Sequence, residues 1–125
     1  MIIYENGSVG IGTATATNLG DIGSFKLAVV GNVGARQFRV TEKPFGWFDY
    51  VFEKNYELQP LDDVQAFVEQ NHHLPDIPSQ EDVDKDGIEL GQMSALLLKK
   101  IEELYLYIFE QEKRIKELEN LLNDD

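Results

Sequence analysis

The sequence predicts an α+β protein that assembles as a fibrous homotrimer, with intertwined short β-strands, a small mixed α/β middle domain and a C-terminal parallel trimeric coiled coil. Three observations support this fold class. Short apolar pieces punctuated by glycine open the chain, an aromatic and proline-containing stretch follows, and a heptad repeat ends it. The corresponding predicted domains are residues 1–40, 41–92 and 93–125.

The composition excludes several classes of partner. The chain has 125 residues, with 23 acidic and 11 basic side chains and a formal net charge of −12. Because affinity for nucleic acid depends on Lys and Arg neutralising phosphates, we exclude nucleic acid as a partner. The absence of cysteine excludes disulfides and thiolate metal sites. No apolar run approaches the roughly 18 residues of a membrane span, so membrane insertion is not expected.

The first segment predicts short strands, which suit either a small sandwich or intertwined strands contributed by several chains. Residues 8–40 contain the β-prone pieces SVGIGT, SFKLAVVG and ARQFRV. Val9 and Ile11 share one side of the first piece, and Phe38 and Val40 share one side of the last, which follows a predicted hairpin or bend at Gly31 and Asn32. Most of the ten glycines lie in this segment, which can therefore bury little by itself. We expect Val9 and Ile11 to supply a core shared between chains.

The middle segment begins with five aromatic residues in eight positions, in the sequence FGWFDYVF from Phe45 to Phe52. Trp47, Phe48 and Tyr50 are candidate ligand contacts on this stretch. The alternative, which we favour, is that Trp47, Tyr50 and Phe52 pack the core of the middle domain.

A short helix and a connector are predicted next. The sequence PLDDVQAFVEQN predicts a helix with Pro60 at its first position and its end near Asn71. Two prolines follow within HHLPDIPS, so we expect an extended connector up to a final helix that begins between Gln92 and Ala95.

The final segment carries a heptad repeat. Apolar residues recur in alternating steps of four and three, the period of a coiled coil. The predicted a positions are Ile101, Ile108, Ile115 and Leu122, and the predicted d positions are Leu97, Leu104, Gln111 and Leu118.

The e and g positions beside the heptad core indicate how many helices form the coiled coil. Ile at a with Leu at d is typical of two-stranded coils. In contrast, Arg114 at g and Glu119 at the next e position resemble a trimer-specifying pattern, in which the Arg pairs with the Glu of a neighbouring chain. Tyr105 at e and Tyr107 at g widen the apolar stripe, which favours more partners or docking of the middle domain. We therefore expect three strands.

The candidate chemical motifs are weak. DVDKDGIEL starts like a calcium loop at Asp82, but Met93 stands where the closing Glu is needed, so an acidic solvated loop is the preferred interpretation. His72 and His73 are adjacent and would point apart in an extended chain; in a trimer one of them could line the axis, although a surface His is the default. Ser94 is expected to cap the last helix. We predict no catalytic residue, metal site or cofactor, and therefore no enzyme.

These segments resemble a known family. NGSVGIGT followed by FKLAVVGNVGARQFRV is similar to the GxVGIGT repeat of bacteriophage tail-fibre and fibre-like surface proteins. The remainder, including HLPDIPS and LLLKKIEELYLYIFEQ, resembles the C-terminal module attached to such repeats in the Bacteroidetes group. The layout is also distantly similar to the self-cleaving intramolecular chaperones of tail spikes, but no cleavage serine can be placed in this chain.

The resemblance implies a structural function. It predicts a C-terminal trimerisation and folding module of a tail fibre or fibre-like adhesin, in a virion tail fibre or an extracellular or cell-surface fibre. The expected partners are two further copies of the chain and the rest of the fibre or particle. Two alternatives stay open: a receptor-binding fibre tip that contacts a host-surface glycan, and a self-processing intramolecular chaperone.

Overall fold

The computed structural model describes residues 1–13, 25–41, 47 and 49–124, and Phe48 therefore lies outside the described residues. The described chain is a small α+β protein with a three-stranded mixed sheet and a long C-terminal helix. It forms two compact units, Met1–Arg39 and Val40–Asp125.

The first unit contains the sheet, with strands β1 (Ile2–Ile3), β2 (Val9–Ile11) and β3 (Leu27–Val29). β1 and β2 are antiparallel, with Ile3 opposite Val9. β2 and β3 are parallel, with Gly10 opposite Ala28. Because β2 lies between the other two strands, the GxVGIGT sequence forms the centre of the sheet.

A tight turn joins β1 to β2. Gly7, with φ +82°, donates its backbone N–H to the carbonyl of Tyr4 at 2.9 Å. The Asn6 side chain accepts from the N–H of Ser8 at 3.0 Å, which is the usual Asx-turn bond. Asn, Gly and Ser thus each serve the turn, and the hydroxyl-bearing Ser8 is buried beneath it.

Of the two alternatives predicted around Gly31 and Asn32, the hairpin is wrong, whereas the chain does bend at Val30 and Gly31. β3 pairs in parallel with β2, and residues 31–41 have no regular secondary structure. Phe38 and Val40 are exposed in this stretch. Phe38 and Val40 do alternate as in a strand. A strand also needs a neighbouring strand for its backbone hydrogen bonds, and none of the described residues supplies one here.

The second unit is helical. A 3₁₀ turn at Asp49–Phe52 precedes α1 (Leu61–Asn71), α2 (Gln80–Asp86) and α3 (Leu90–Asn123). α1 ends at Asn71 as predicted, with His72 in the left-handed conformation after it. Pro60 is the residue that caps α1 and not its first helical residue.

The region between α1 and α3 contains a helix and is not a purely extended connector. Ser79 and Asp82 form a capping box that starts α2: the backbone N–H of Asp82 donates to Ser79 Oγ at 3.1 Å, and the N–H of Ser79 donates to the Asp82 carboxylate at 3.1 Å. The Ser79 hydroxyl also donates to the Asp82 carboxylate at 2.8 Å, and this bond, together with the one from the Ser79 N–H, lowers the pKa of Asp82 below its ordinary range. The first acidic residue of the supposed calcium loop therefore has a structural role.

α3 is one continuous helix of 34 residues that begins at Leu90, slightly before the predicted start. Its N-cap is Glu89. The Ser94 hydroxyl donates to the carbonyl of Leu90 at 2.9 Å inside the helix, so the prediction that Ser94 caps the helix is wrong.

Candidate oligomerisation surface

The first half of α3 packs against the middle of the chain through one face. Ala95, Glu103 and Tyr107 are buried on this face, and Val51 of the 3₁₀ turn is fully buried. In the heptad numbering these α3 residues occupy positions b, c and g, while a and d lie on another side of the helix. We call the buried side the outer face of α3.

Two tyrosines hold the segment between the 3₁₀ turn and α1 on the outer face. The Tyr56 hydroxyl donates to Glu103 Oε1 at 3.1 Å, and the Tyr107 hydroxyl donates to the backbone carbonyl of Gln59. Burial, together with the negative charge of Glu103, raises the pKa of Tyr56 well above its usual range. Burial likewise raises the pKa of Tyr107. Both hydroxyls therefore remain protonated donors.

A charge cluster holds the loop between α1 and α2 on the same helix. Asp76, which has φ +67°, accepts hydrogen bonds from Lys99 Nζ at 3.0 Å and from Lys100 Nζ at 3.3 Å. Lys100 also lies 3.5 Å from Glu103 Oε2. The bond from Lys99 lowers the pKa of Asp76. Burial alone would lower the pKa of Lys99, but the bond and charge of Asp76 outweigh burial and raise it.

The intrachain packing leaves the predicted heptad surface bare. We call this surface the seam, and it consists of the a and d residues of α3. Its apolar members have exposed fractions between 49 and 79 %. They are Leu97, Ile101, Leu104, Ile108, Ile115, Leu118 and Leu122. Gln111 is the single polar seam residue and is also exposed.

The second half of α3 has little protein around it. Every residue from Ile108 to Asp124 is exposed, although the helix runs on to Asn123. An isolated helix of this length is only marginally stable in water, and most helical stability in proteins comes from packing an apolar face. The exposed seam is the apolar face that this half of α3 offers.

The residues beside the seam divide into two flanks. Arg114 and Tyr107 lie on the g flank, and Glu119 and Tyr105 lie on the e flank. Arg114, Glu119 and Tyr105 are exposed, whereas Tyr107 is buried against the middle of the chain. The wider stripe was predicted to favour either more partner strands or docking of the middle domain, and the Tyr107 hydroxyl donates to Gln59, which lies in the predicted middle domain.

A second apolar surface lies in the first unit. The register places Ile3, Val9 and Leu27 side by side, with Ile11 next to Val29 on the same face of the sheet. Ile3, Ile11 and Leu27 are exposed, and Val9 is half-buried. The opposite positions Gly10 and Ala28 are small and buried. Val9 and Ile11 therefore share a face, as predicted, and that face is open in the single chain.

The aromatic candidates are mostly on the surface. Trp47 is 59 % exposed, and Tyr50 and Phe52 are also exposed, so the preferred interpretation that these three form the core is wrong. Among the described residues of this stretch, Val51 is the buried one. The Tyr50 ring packs at a tilt against Tyr56, with ring centroids 5.8 Å apart.

The histidines have local contacts. The His73 ring meets the Phe67 ring edge-on, with centroids 5.4 Å apart, and its Nδ1 lies 2.9 Å from the Leu74 carbonyl. His72 is exposed. Within residues 1–13, 25–41 and 49–124, no three His, Asp or Glu residues come together as a metal site would require. In the same part of the chain, no helix is both long and apolar enough to cross a membrane.

Sequence reasoning missed the residues that decide which side of α3 is covered. Asp76, Lys99, Lys100, Glu103 and Tyr56 make these contacts. The sequence signal for these contacts was the adjacent pair Lys99 and Lys100 in the otherwise apolar first turns of α3. Two neighbouring cations are usually solvated, unless acidic residues such as Asp76 and Glu103 pair with them.

No family model, curated protein or solved structure matches this chain.

Proposed function

We propose that this chain is the C-terminal trimerisation and folding module of a tail fibre or fibre-like adhesin. The observation that carries the proposal is the seam of α3, whose apolar residues stay exposed while the 3₁₀ turn, Tyr56, Gln59 and Asp76 contact other sides of the helix. Fully burying each Leu or Ile contributes about 1.5–3 kcal/mol, so seven such side chains provide a strong drive to associate.

Three parallel strands fit the flanking residues best. Arg114 and Glu119 are exposed on opposite flanks of one helix, so in a parallel coil the Arg114 of one chain faces the Glu119 of the next. The guanidinium can bind the carboxylate in a bidentate manner while its stem covers the apolar seam. The open face of the sheet, including Val9 and Ile11, supplies a second surface for the same partner chains.

The fibre assignment follows from the resemblance of the first and last segments to tail-fibre sequences. Aligning three chains through a helix removes much of the entropy cost of pairing distant strands, because the strands then meet as parts of one molecule. The module would therefore promote folding of the fibre as well as hold its end together. Its partners would be two identical chains and the rest of the fibre.

The proposal is tested by the solution mass of the intact chain, measured by light scattering. We expect three times the mass of one 14.2 kDa chain. Ile115→Asp places a charge in the seam and should yield monomer. Asn120→Asp adds the same charge at the outward f position and should remain trimeric. A wild-type monomer, or equal behaviour of the two variants, would overturn the proposal.

A second candidate function is contact with a host-surface glycan through Trp47 and Tyr50. The observation that favours it is the high exposure of Trp47, since exposed aromatic side chains commonly mark binding surfaces. Trp47→Ala should abolish attachment to host cells and leave the trimer intact. Full attachment by this variant would remove the support for a glycan site.

A further inference from the structure

A groove runs along the g flank of α3, next to the seam. One wall is the segment Leu58–Asp62, which leads into α1, and the other wall is formed by Tyr107, Glu110, Gln111 and Arg114 of α3. The groove has a volume of about 440 Å³, which is large enough for an aromatic side chain. Gln111 belongs to both the groove and the seam, so the two surfaces are continuous.

An exposed aromatic pair lies on the opposite flank of the same helix. Tyr105, at position e, and Phe109, at position b, have tilted rings with centroids 6.0 Å apart. They are 52 % and 59 % exposed. Tyr105 at e can widen the apolar seam, but Phe109 at b lies outside the seam and its e and g flanks, so a coiled coil alone does not explain why the Phe109 ring is presented here.

Coiled-coil geometry brings these two features together in neighbouring chains. In a parallel coil the g flank of each helix faces the e flank of the next. Along the helix axis Phe109 lies about 3 Å beyond Tyr107 and before Arg114, at 1.5 Å per residue, so its height falls within the groove. Tyr105 lies one turn earlier, at the entrance of the groove.

One charge pair at the groove fits the same neighbour. The groove lining carries one cation, Arg114, together with the carboxylates of Asp62 and Glu110. On a facing e flank, Glu119 is the carboxylate that would pair with Arg114. The agreement in height, the Arg114 and Glu119 pair and the continuity of the groove with the seam favour a second copy of this chain as the occupant.

We propose that Phe109 of each chain packs into the groove of the neighbouring chain, against Leu58–Leu61, with Tyr105 beside it. This inference rests on the proposed trimer and adds a second contact to it. The segment Leu58–Leu61 is then held between its own α3 and the α3 of the next chain. We call this contact of Phe109 and Tyr105 with the neighbouring groove the clasp. It gives the module selectivity for its own copies, because an unrelated coiled coil lacks the matching groove and ring pair.

Disulfide trapping tests the contact. Because the sequence contains no cysteine, crosslinks can form only between the introduced residues. The full chain carrying Leu61→Cys and Phe109→Cys is oxidised and run on a non-reducing gel. We expect covalent dimers and trimers. The matched control combines Leu61→Cys with Lys113→Cys, whose side chain is at the outward f position, and should remain largely uncrosslinked. Circular dichroism verifies the helix in every variant.

A third variant separates this inference from the proposed function. Ile108→Cys lies in the seam and should give covalent dimers in any parallel coil in register. If Ile108→Cys crosslinks but the Leu61 and Phe109 pair does no better than its control, the clasp is wrong and the coiled coil stands. If no variant crosslinks and the wild-type chain is a monomer, the proposed function fails and the clasp fails with it.

A substitution without cysteine gives an independent readout. Phe109→Ala should raise the concentration at which the trimer dissociates by at least about tenfold, as truncating a buried aromatic anchor commonly does. An unchanged dissociation concentration would contradict the clasp, because a ring left in solvent contributes little to association.

Discussion

The hydroxyl of Tyr56 donates a 3.1 Å hydrogen bond to Oε1 of Glu103, a residue of α3 that is 47 positions later in the chain. Glu103 is buried, and its other oxygen lies 3.5 Å from Lys100 Nζ. This contact joins the middle of the chain to the outer face of α3. The outer face is occupied in this way, while the apolar seam stays exposed on another side of α3.

The Tyr56 and Glu103 pair should show energetic coupling. In a double-mutant cycle of Tyr56→Phe and Glu103→Ala, we expect a coupling free energy of about 1 kcal/mol, because the two side chains share a partly buried hydrogen bond to a charged acceptor. The measurement is urea unfolding at one fixed protein concentration. Additive effects of the two substitutions would show that the bond contributes nothing to stability.

The Asp76 cluster should make stability depend on pH. The hydrogen bond from Lys99 lowers the pKa of Asp76 in the folded state, so the stabilising contribution of Asp76 is complete above the unfolded pKa and is lost as the pH falls through the lower folded pKa. Asp76→Asn should cost about 0.5–1 kcal/mol at pH 7, a modest figure because the side chain is 53 % exposed.

The check on Asp76 is chemical denaturation of the wild type and Asp76→Asn at several pH values. The difference between the two proteins should shrink towards zero as the pH approaches 2. Asp84→Asn, which changes an exposed carboxylate of α2, provides the control. A pH-independent difference for Asp76→Asn would refute the role of its charge.

Tight packing at Ala95 should reject a larger side chain. Ala95 is fully buried on the outer face, so Ala95→Leu should destabilise the protein by about 1–3 kcal/mol through overpacking. Ala66→Leu makes the same change at an exposed position of α1 and should have little effect. Thermal unfolding followed by circular dichroism compares the two variants. Similar midpoints would mean that the outer face is not packed as described.

In the proposed trimer, Gln111 should lower the stability of the coil but fix the register of its strands. A single polar residue inside an apolar seam favours one alignment of the strands at a cost in stability. Gln111→Leu should raise the free energy of dissociation by about 1 kcal/mol or more per chain and broaden the distribution of oligomers seen by native mass spectrometry. Asn120→Leu, at the outward f position, should do neither.

Gly12 should be intolerant of a side chain. Its φ is +73°, and an added Cβ would lie 3.0 Å from the backbone oxygen of Val30. Gly12→Ala should destabilise the sheet by about 1–2 kcal/mol, which raises the exchange rate of the Val30 amide about tenfold, since that amide donates to Ile11 in the sheet. At Gly34 the added Cβ meets nothing within 4 Å, so Gly34→Ala is the control. Equal exchange rates in both variants would disprove the steric argument.

Local pattern and tertiary contacts account for different parts of this protein. The end of α1 at Asn71 and the shared face of Val9 and Ile11 were predicted from the sequence. Helix α2 was not predicted, although its Ser79 and Asp82 capping box is a local signal, because the acidic sequence from Asp82 was interpreted as a solvated loop. The parallel pairing of β2 with β3 joins residues distant in the chain, so strand alternation alone could not reveal it.

The spacing of apolar residues is sufficient to predict which residues of α3 share a side, because helical geometry converts steps of three and four residues into a stripe such as Ile101, Leu104 and Ile108. Which other side of the helix the chain covers with its own residues depends on tertiary contacts. That choice depends on Asp76 and Tyr56 reaching Lys99, Lys100 and Glu103. Long-range hydrogen bonds and charge pairs of this kind leave no period in the sequence, because they depend on how the intervening turns direct the chain.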